Sequence, residues 1–300
     1  MATAELSPSR RRGALDVSGR RVAAVWYQLS QNTLTVVGLT LIAIVVVFAI
    51  FAPLIAPANP VSGDLLNTTQ PPSSEHLMGT DQFGRDIFSR VVHGARVDLA
   101  VAGIVVSVAF VMSVVLGALA GFAGRVADEL VMRAMDVVFS FPPLILAIGI
   151  AVTIQQGGML SLVVALTVIA IPPMVRITRA EILHRKESLY VEAARAIGSS
   201  PLRVLAVHLV PNSLPPLVVQ ATLTFGYVIL ETAGLSFIGV GVKPPAPEWG
   251  IMVSEGSPYV RTGEWWISLF PGLMIFVTVL GFNLVGNGLL DVLNPRRRRQ

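Results

Sequence analysis

The chain has 300 residues, 53% of them hydrophobic and only 13% charged, with a mean hydropathy of +0.71, a net charge of +4 and a pI of 9.9. A soluble globular domain carries about 25% charged residues, and several uncharged stretches exceed the roughly 20 residues a helix needs to cross a bilayer. An all-α integral membrane protein is therefore expected. Cysteine is absent, which removes disulfides, thiolate nucleophiles and cysteine metal sites. The basic residues are almost all arginines set between apolar stretches, a distribution that fits membrane topology and not nucleic-acid binding.

Residues 1–33 form a basic tail carrying Arg10, Arg11, Arg12, Arg20 and Arg21. A first span is expected from about Leu34 to Ile55. It starts too late and runs too long for the core of a cleaved signal peptide, so it reads as retained. Pro53, Pro57 and Pro60 mark its exit into a polar segment reaching residue 95. In that segment Asp81, Gly84 and Asp86 offer too few oxygen ligands at alternating positions for a calcium loop. A turn and a helix start capped near Asp86 are expected, with Arg85 and Arg90 pairing locally.

The transmembrane core is placed at residues 96–292. Span two falls in the charge-free stretch between Asp98 and Arg125, where Gly117 and Gly121 form a GxxxG that lets helix backbones approach closely. The 39 uncharged residues between Asp136 and Arg176 are enough for two more spans, divided by a turn at Gln155, Gln156, Gly157 and Gly158. Pro142 and Pro143 are expected to break span three, and Pro172 and Pro173 span four. Such breaks are tolerated where protein or a cavity re-satisfies the backbone, so they are candidate markers of a pathway. Span five is read at about Leu214 to Leu235. Near its outer end stands Glu231, either a functional carboxylate, as ionisable residues within spans are by default, or an ordinary paired one. Span six runs from about Trp266 to Leu290 and carries Asn283, Asn287 and Asp291 on one face. These read as polar glue between helices or as a path lining. Residues 293–300 form a second basic tail with Arg296–Arg299.

With both termini in the cytoplasm, the cytoplasmic segments hold 17 Lys/Arg and the outer ones five, as the positive-inside rule requires. The paired halves common in secondary transporters are not seen, which disfavours an ATP-independent transporter. His76, His93, His184 and His208 are scattered without metal-ligand spacing. The only lysines, Lys186 and Lys243, do not complete a GxxxxGK[ST] phosphate loop. The chain is not its own ATP motor.

The most informative stretch is YVEAARAIGSSPLRVLAVHLVPN, Tyr190 to Asn212, within a polar segment spanning residues 181–212. EAARAI is strongly helix-forming, and Gly198 fits the left-handed position that closes a helix. Ser200 can cap a second helix with Pro201 at its first position, and Pro211 is expected to stop it. The product is a helix–turn–helix outside the bilayer. This stretch resembles the cytoplasmic "EAA" loop of binding-protein-dependent ABC importers, with Glu192, Ala193, Ala194, Gly198 and Pro211 at the pattern positions and Val210 where Leu is usual. HLMGTDQFGRDIFSR (His76–Arg90), ETAGLSFIGVGVKPPAPEWG (Glu231–Gly250) and WWISLFPGLMIFVTVLGFNLVGNGLLDVLNP (Trp265–Pro295) are similar to the second, C-type permease subunit of the dipeptide/oligopeptide branch.

The resemblance implies a type I ABC importer permease: a six-span, non-catalytic subunit of the bacterial inner membrane. It implies a second, homologous permease, two ATPase subunits or domains that carry the ATP and Mg, and an extracytoplasmic binding protein. No cofactor is expected in this chain and no nucleic-acid partner. Glu192 would make a polar contact to the ATPase surface, Ala193 and Ala194 would allow close approach to it, and Gly198 would set the turn. The branch also includes carriers for nickel, glutathione and other small solutes; peptides are expected here because they are its commonest cargo.

Overall fold

A computed structural model describes residue 27, residues 29–154 and residues 158–293. The arginines at 10–12, 20, 21 and 296–299 and the Gln155–Gly157 turn lie outside the described residues. Nine helices carry the description: α1 (Thr33–Ile55), α2 (Ile87–Phe122), α3 (Arg125–Phe139), α4 (Pro143–Thr153), α5 (Met159–Arg185), α6 (Leu189–Ala196), α7 (Pro201–Phe237), α8 (Trp249–Gly256) and α9 (Trp266–Leu293). Among the described residues no β-strand occurs, only an isolated bridge between Thr80 and Asp86.

Helices α1, α2, α5, α7 and α9 are each long and apolar enough to cross a membrane. The sixth expected span takes a different form. Helix α4 has eleven residues, only about 16 Å at 1.5 Å per residue, against roughly 30 Å of hydrocarbon. It continues from α3 through a 92° bend. Pro142 and Pro143 make that break, as expected, because neither has an N–H to carry the helix across. Helix α3 falls in the charged stretch between spans two and three, where the charge pattern names no helix. It is an amphipathic helix tied to α5 by ion pairs Asp128–Arg179 and Asp136–Arg176, the latter at 2.8 Å, with the Arg176 guanidinium 4.4 Å from the Phe139 ring centre.

Two other proline expectations are corrected. Pro172 and Pro173 lie inside α5, which continues unbroken through Arg185; the surrounding helices hold it across the missing backbone bonds. Pro211 does not stop the helix begun at Pro201. A π-helical turn over Val204–Leu209 precedes it, and the wider turn makes room for a ring that would otherwise meet the carbonyl one turn back.

Small residues set how closely the helices pack. A Cβ at Gly117 would lie 2.4 Å from the Thr178 Cβ and 2.8 Å from the Val175 carbonyl; one at Gly121 would lie 2.8 Å from Ile182. Helices α2 and α5 therefore touch backbone to backbone, as the GxxxG predicted. Gly38 against Gly281 and Gly288 against Thr35 join α1 to α9. Gly286 against Leu223, with Phe225 stacked on Phe282 at 4.2 Å, joins α7 to α9.

Candidate functional site

Two ends of the bundle carry built polar structure. At one, α6 and the start of α7 form a hairpin. Helix α6 closes with Gly198 at φ +85°. The Gly198 N–H donates to the Arg195 carbonyl (2.9 Å) and the Ser199 N–H to the Ala194 carbonyl (3.0 Å), the paired bonds that satisfy the last carbonyls of a helix ended by a left-handed residue. Ser200 Oγ then accepts from the Arg203 N–H at 3.4 Å, and Pro201 opens α7. The turn is as the residues Gly198, Ser200 and Pro201 predicted.

The hairpin is anchored by its apolar inner face. Val191, Ala194, Val204 and Leu209 are buried together with Ala118 of α2 and Ile182 of α5. Ala194 is thus covered by this chain's own helices, so the close approach its small side chain allows is internal and not toward a partner. Glu192, Ala193, Gly198 and Pro211 are exposed. Sequence reasoning missed the apolar side chains beside them: Leu189 (82% exposed), Ile197 (84%) and Leu202 (77%) stand clear of the anchoring cluster. Leu189 and Leu202 stand two positions from the buried Val191 and Val204, out of helical register, whereas Ile197 is in register with Ala194 and is exposed because the helix ends at Ala196 before it.

At the opposite end, the segment after α1 and the helix α8 fold over the bundle. Asp86 caps α2, accepting from the Ser89 N–H at 2.8 Å, as expected. Arg85 and Arg90 do more than pair locally. Arg85 bridges Asp81 (2.5 Å) and Glu255 of α8 (2.7 Å), and Arg90 donates to the Pro60 and Pro245 carbonyls at 3.0 and 3.2 Å. Trp249 is fully buried against Gly94, its indole N–H donating to the Val91 carbonyl at 2.9 Å. Beside it, Glu248 accepts from the Gly250 and Ile251 N–H groups (2.9 and 2.8 Å) and Asp98 from the Trp249 N–H (3.2 Å); the two carboxyl side chains meet. Burial pushes the Glu248 carboxyl up from the ordinary range, outweighing the two backbone N–H groups that pull it down. Sequence analysis singled out neither Asp98 nor Glu248 as a partner of the other.

The remaining candidates are dispersed. Asn283 Nδ2 donates to the Val279 carbonyl of its own helix at 2.9 Å, beside Gly226 of α7. Asn287 is exposed and Asp291 half-buried near the end of α9. Glu231 lies in α7, partly exposed, one turn from Tyr227. Among the described residues no group of three His, Cys, Asp or Glu could hold a metal ion.

Comparison with known proteins matches residues 113–299 to the family of binding-protein-dependent transport system inner membrane components, and residues 22–72 to the N-terminal TM domain of oligopeptide transport permease C. The dipeptide transport system permease protein DppC of Alkalihalophilus pseudofirmus is 41% identical over 271 residues, covering 90% of this chain and 88% of the relative. The di/tripeptide transport system permease protein DppC of Pseudomonas aeruginosa is 40% identical over 279 residues, covering 90% and 91%. In structure, the chain is similar to an inward-facing conformation of the MetNI methionine ABC transporter, with a TM-score of 0.55 at 22% identity over 68% of this chain and 97% of that one; this likeness shows the fold. The chain is a multi-pass membrane protein and belongs to the family of binding-protein-dependent transport system inner membrane components.

Proposed function

We propose that this chain is one of two permeases in an ATP-driven importer of di- and oligopeptides in a bacterial inner membrane, and that its hairpin is the handle by which ATPase subunits move it. The observation that carries this reading is the hairpin itself. It is fixed to α2, α5 and α7 by a buried cluster, yet presents Glu192, Leu189, Ile197 and Leu202 outward. An apolar edge rimmed by charge on a rigid anchor is what a partner surface requires. The chain has no phosphate loop of its own, so ATP and Mg belong to those partners. Closure of the ATPase pair would then tilt α2, α5 and α7 together as a rigid body.

Both termini and the hairpin are assigned to the cytoplasm. The end built from Arg85, Arg90, Glu248 and Glu255 is assigned to the outside, where a binding protein delivers cargo. The names of the relatives, permeases for dipeptides and tripeptides, support peptide cargo. The test is uptake of a radiolabelled dipeptide into proteoliposomes holding the complete importer. ATP-dependent accumulation that Glu192→Lys abolishes, at unchanged abundance of this chain, is expected; uptake that proceeds without ATP would overturn the proposal. Orientation is checked with the natural lack of cysteine: Ser62→Cys should react with an impermeant maleimide in intact cells, and Ser199→Cys only after permeabilisation.

A further inference from the structure

Glu231 lies on a face of α7 that the rest of the chain leaves open. Thr232, Ala233, Leu235 and Ser236 are buried, and Gly250 of α8 packs onto Ala233. Tyr227 and Gly234, one turn to either side of Glu231, are exposed, as is Leu230 beside it. The Tyr227 and Glu231 side chains lie one turn apart on this face and interact. None of the ion pairs among the described residues includes Glu231.

Its depth makes this placement informative. Phe225 and Gly226 contact Phe282 and Val279, near the middle of α9. Helices α7 and α9 run antiparallel, so Glu231 stands level with about residue 275 of α9. That is about 13 Å along the axis from Trp266, at 1.5 Å per residue. Trp265, next to it, is exposed at that end of the helix, and exposed tryptophans mark the membrane interface. Glu231 is therefore well inside the hydrocarbon depth. A carboxylate turned toward acyl chains there is costly, and ionisable groups at such depth face a bundle interior or a water-filled cavity. This chain supplies no such interior around the open face, so a second surface must complete it across polar space.

We infer that Glu231 and Tyr227 form a cation-selecting subsite on the wall of the translocation path, taking the protonated amine of the passing solute; this rests on the proposed role as half of a peptide path. The ammonium donates to the carboxylate, the tyrosine hydroxyl fixes the carboxylate's orientation, and the ring face offers a cation–π contact. With only two side chains the subsite stays weak, which lets the solute leave as readily as it enters.

The experiment uses the assembled importer and this cysteine-free chain. A Cβ at Gly234 meets nothing within 4 Å, so Gly234→Cys places a thiol one turn from the carboxylate without a clash. Modification rates by a cationic and an anionic methanethiosulfonate reagent of similar size are compared from the mass shift of this chain. Leu230→Cys is a second position should Gly234→Cys fail to assemble. The cationic reagent is expected to react faster by about tenfold or more, and adding Glu231→Gln should bring the ratio close to one. Two results would overturn the subsite: no reaction with either reagent at both positions, or a ratio that Glu231→Gln leaves unchanged. Absence of peptide uptake by the wild-type complex would count against the peptide reading alone, because the reagent ratio reports on Glu231 whatever the cargo.

Discussion

Gly198 and Glu248 show how much can rest on one backbone angle and one carboxyl. Gly198 has φ +85° and open space where a Cβ would stand, so a substitution there is opposed only by the left-handed backbone. Gly198→Ala should cost about 1 kcal/mol, and the β-branched Gly198→Val about 2 kcal/mol or more. Because the buried cluster under the hairpin is unchanged, membrane abundance should stay near wild type. Capture of the ATPase subunits and uptake should fall, more for Val than for Ala; equal uptake in both variants would remove the turn from the mechanism. Glu248 makes a pH prediction whose sign follows from its burial. Its carboxyl is pushed up in the folded chain, so its contribution to stability is complete below the unfolded value and is lost as pH rises through the raised one. Thermal stability of the purified chain should therefore decline, as pH is raised above the ordinary carboxylate range, by more in wild type than in Glu248→Gln. At the acid end of that titration the variant should be the less stable by about 1 kcal/mol, having given up one of two backbone acceptors. Parallel pH curves would refute the assignment.

Helix packing was legible wherever two small residues stood four apart. Gly117 and Gly121 announce a close contact, and α5 fills it. A leucine at Gly117 would collide with the Val175 backbone, which cannot yield as a side chain would. Gly117→Leu should destabilise the bundle by about 3 kcal/mol or more, read as lost folded protein in the membrane. On the same helix a Cβ at Gly103 meets nothing within 4 Å, so Gly103→Ala should be neutral or stabilising by up to about 1 kcal/mol. Similar losses from both would deny the specific contact. Charge and proline patterns were less complete guides. The charges of α3 did not announce a helix, because Asp128 and Asp136 find their partners some 40 to 50 positions later in Arg179 and Arg176. Pro211 read as a stop because nothing in its neighbours announces the π-helical turn that accommodates it.

The division of the protein into an apolar bundle, a helical hairpin at one end and a folded cap at the other was half visible in the sequence. The bundle shows in hydropathy and the hairpin in local helix chemistry, both properties of neighbouring residues. The cap depends on contacts between residues more than 150 positions apart, such as Arg85 with Glu255 and Asp98 with the Trp249 N–H, and no local pattern encodes these. The same limit separates Ala194 from Ala193: the motif names both, and only packing shows that one faces inward. The central claim is that the hairpin end meets the ATPase subunits. Ile197, 84% exposed at the tip of the turn, tests it most directly. In the assembled importer, Ile197→Cys treated with a short thiol-to-amine crosslinker should join this chain to an ATPase subunit, while Ser257→Cys at the opposite end should not. Capture of the ATPase from position 257, or none from position 197, would contradict the account.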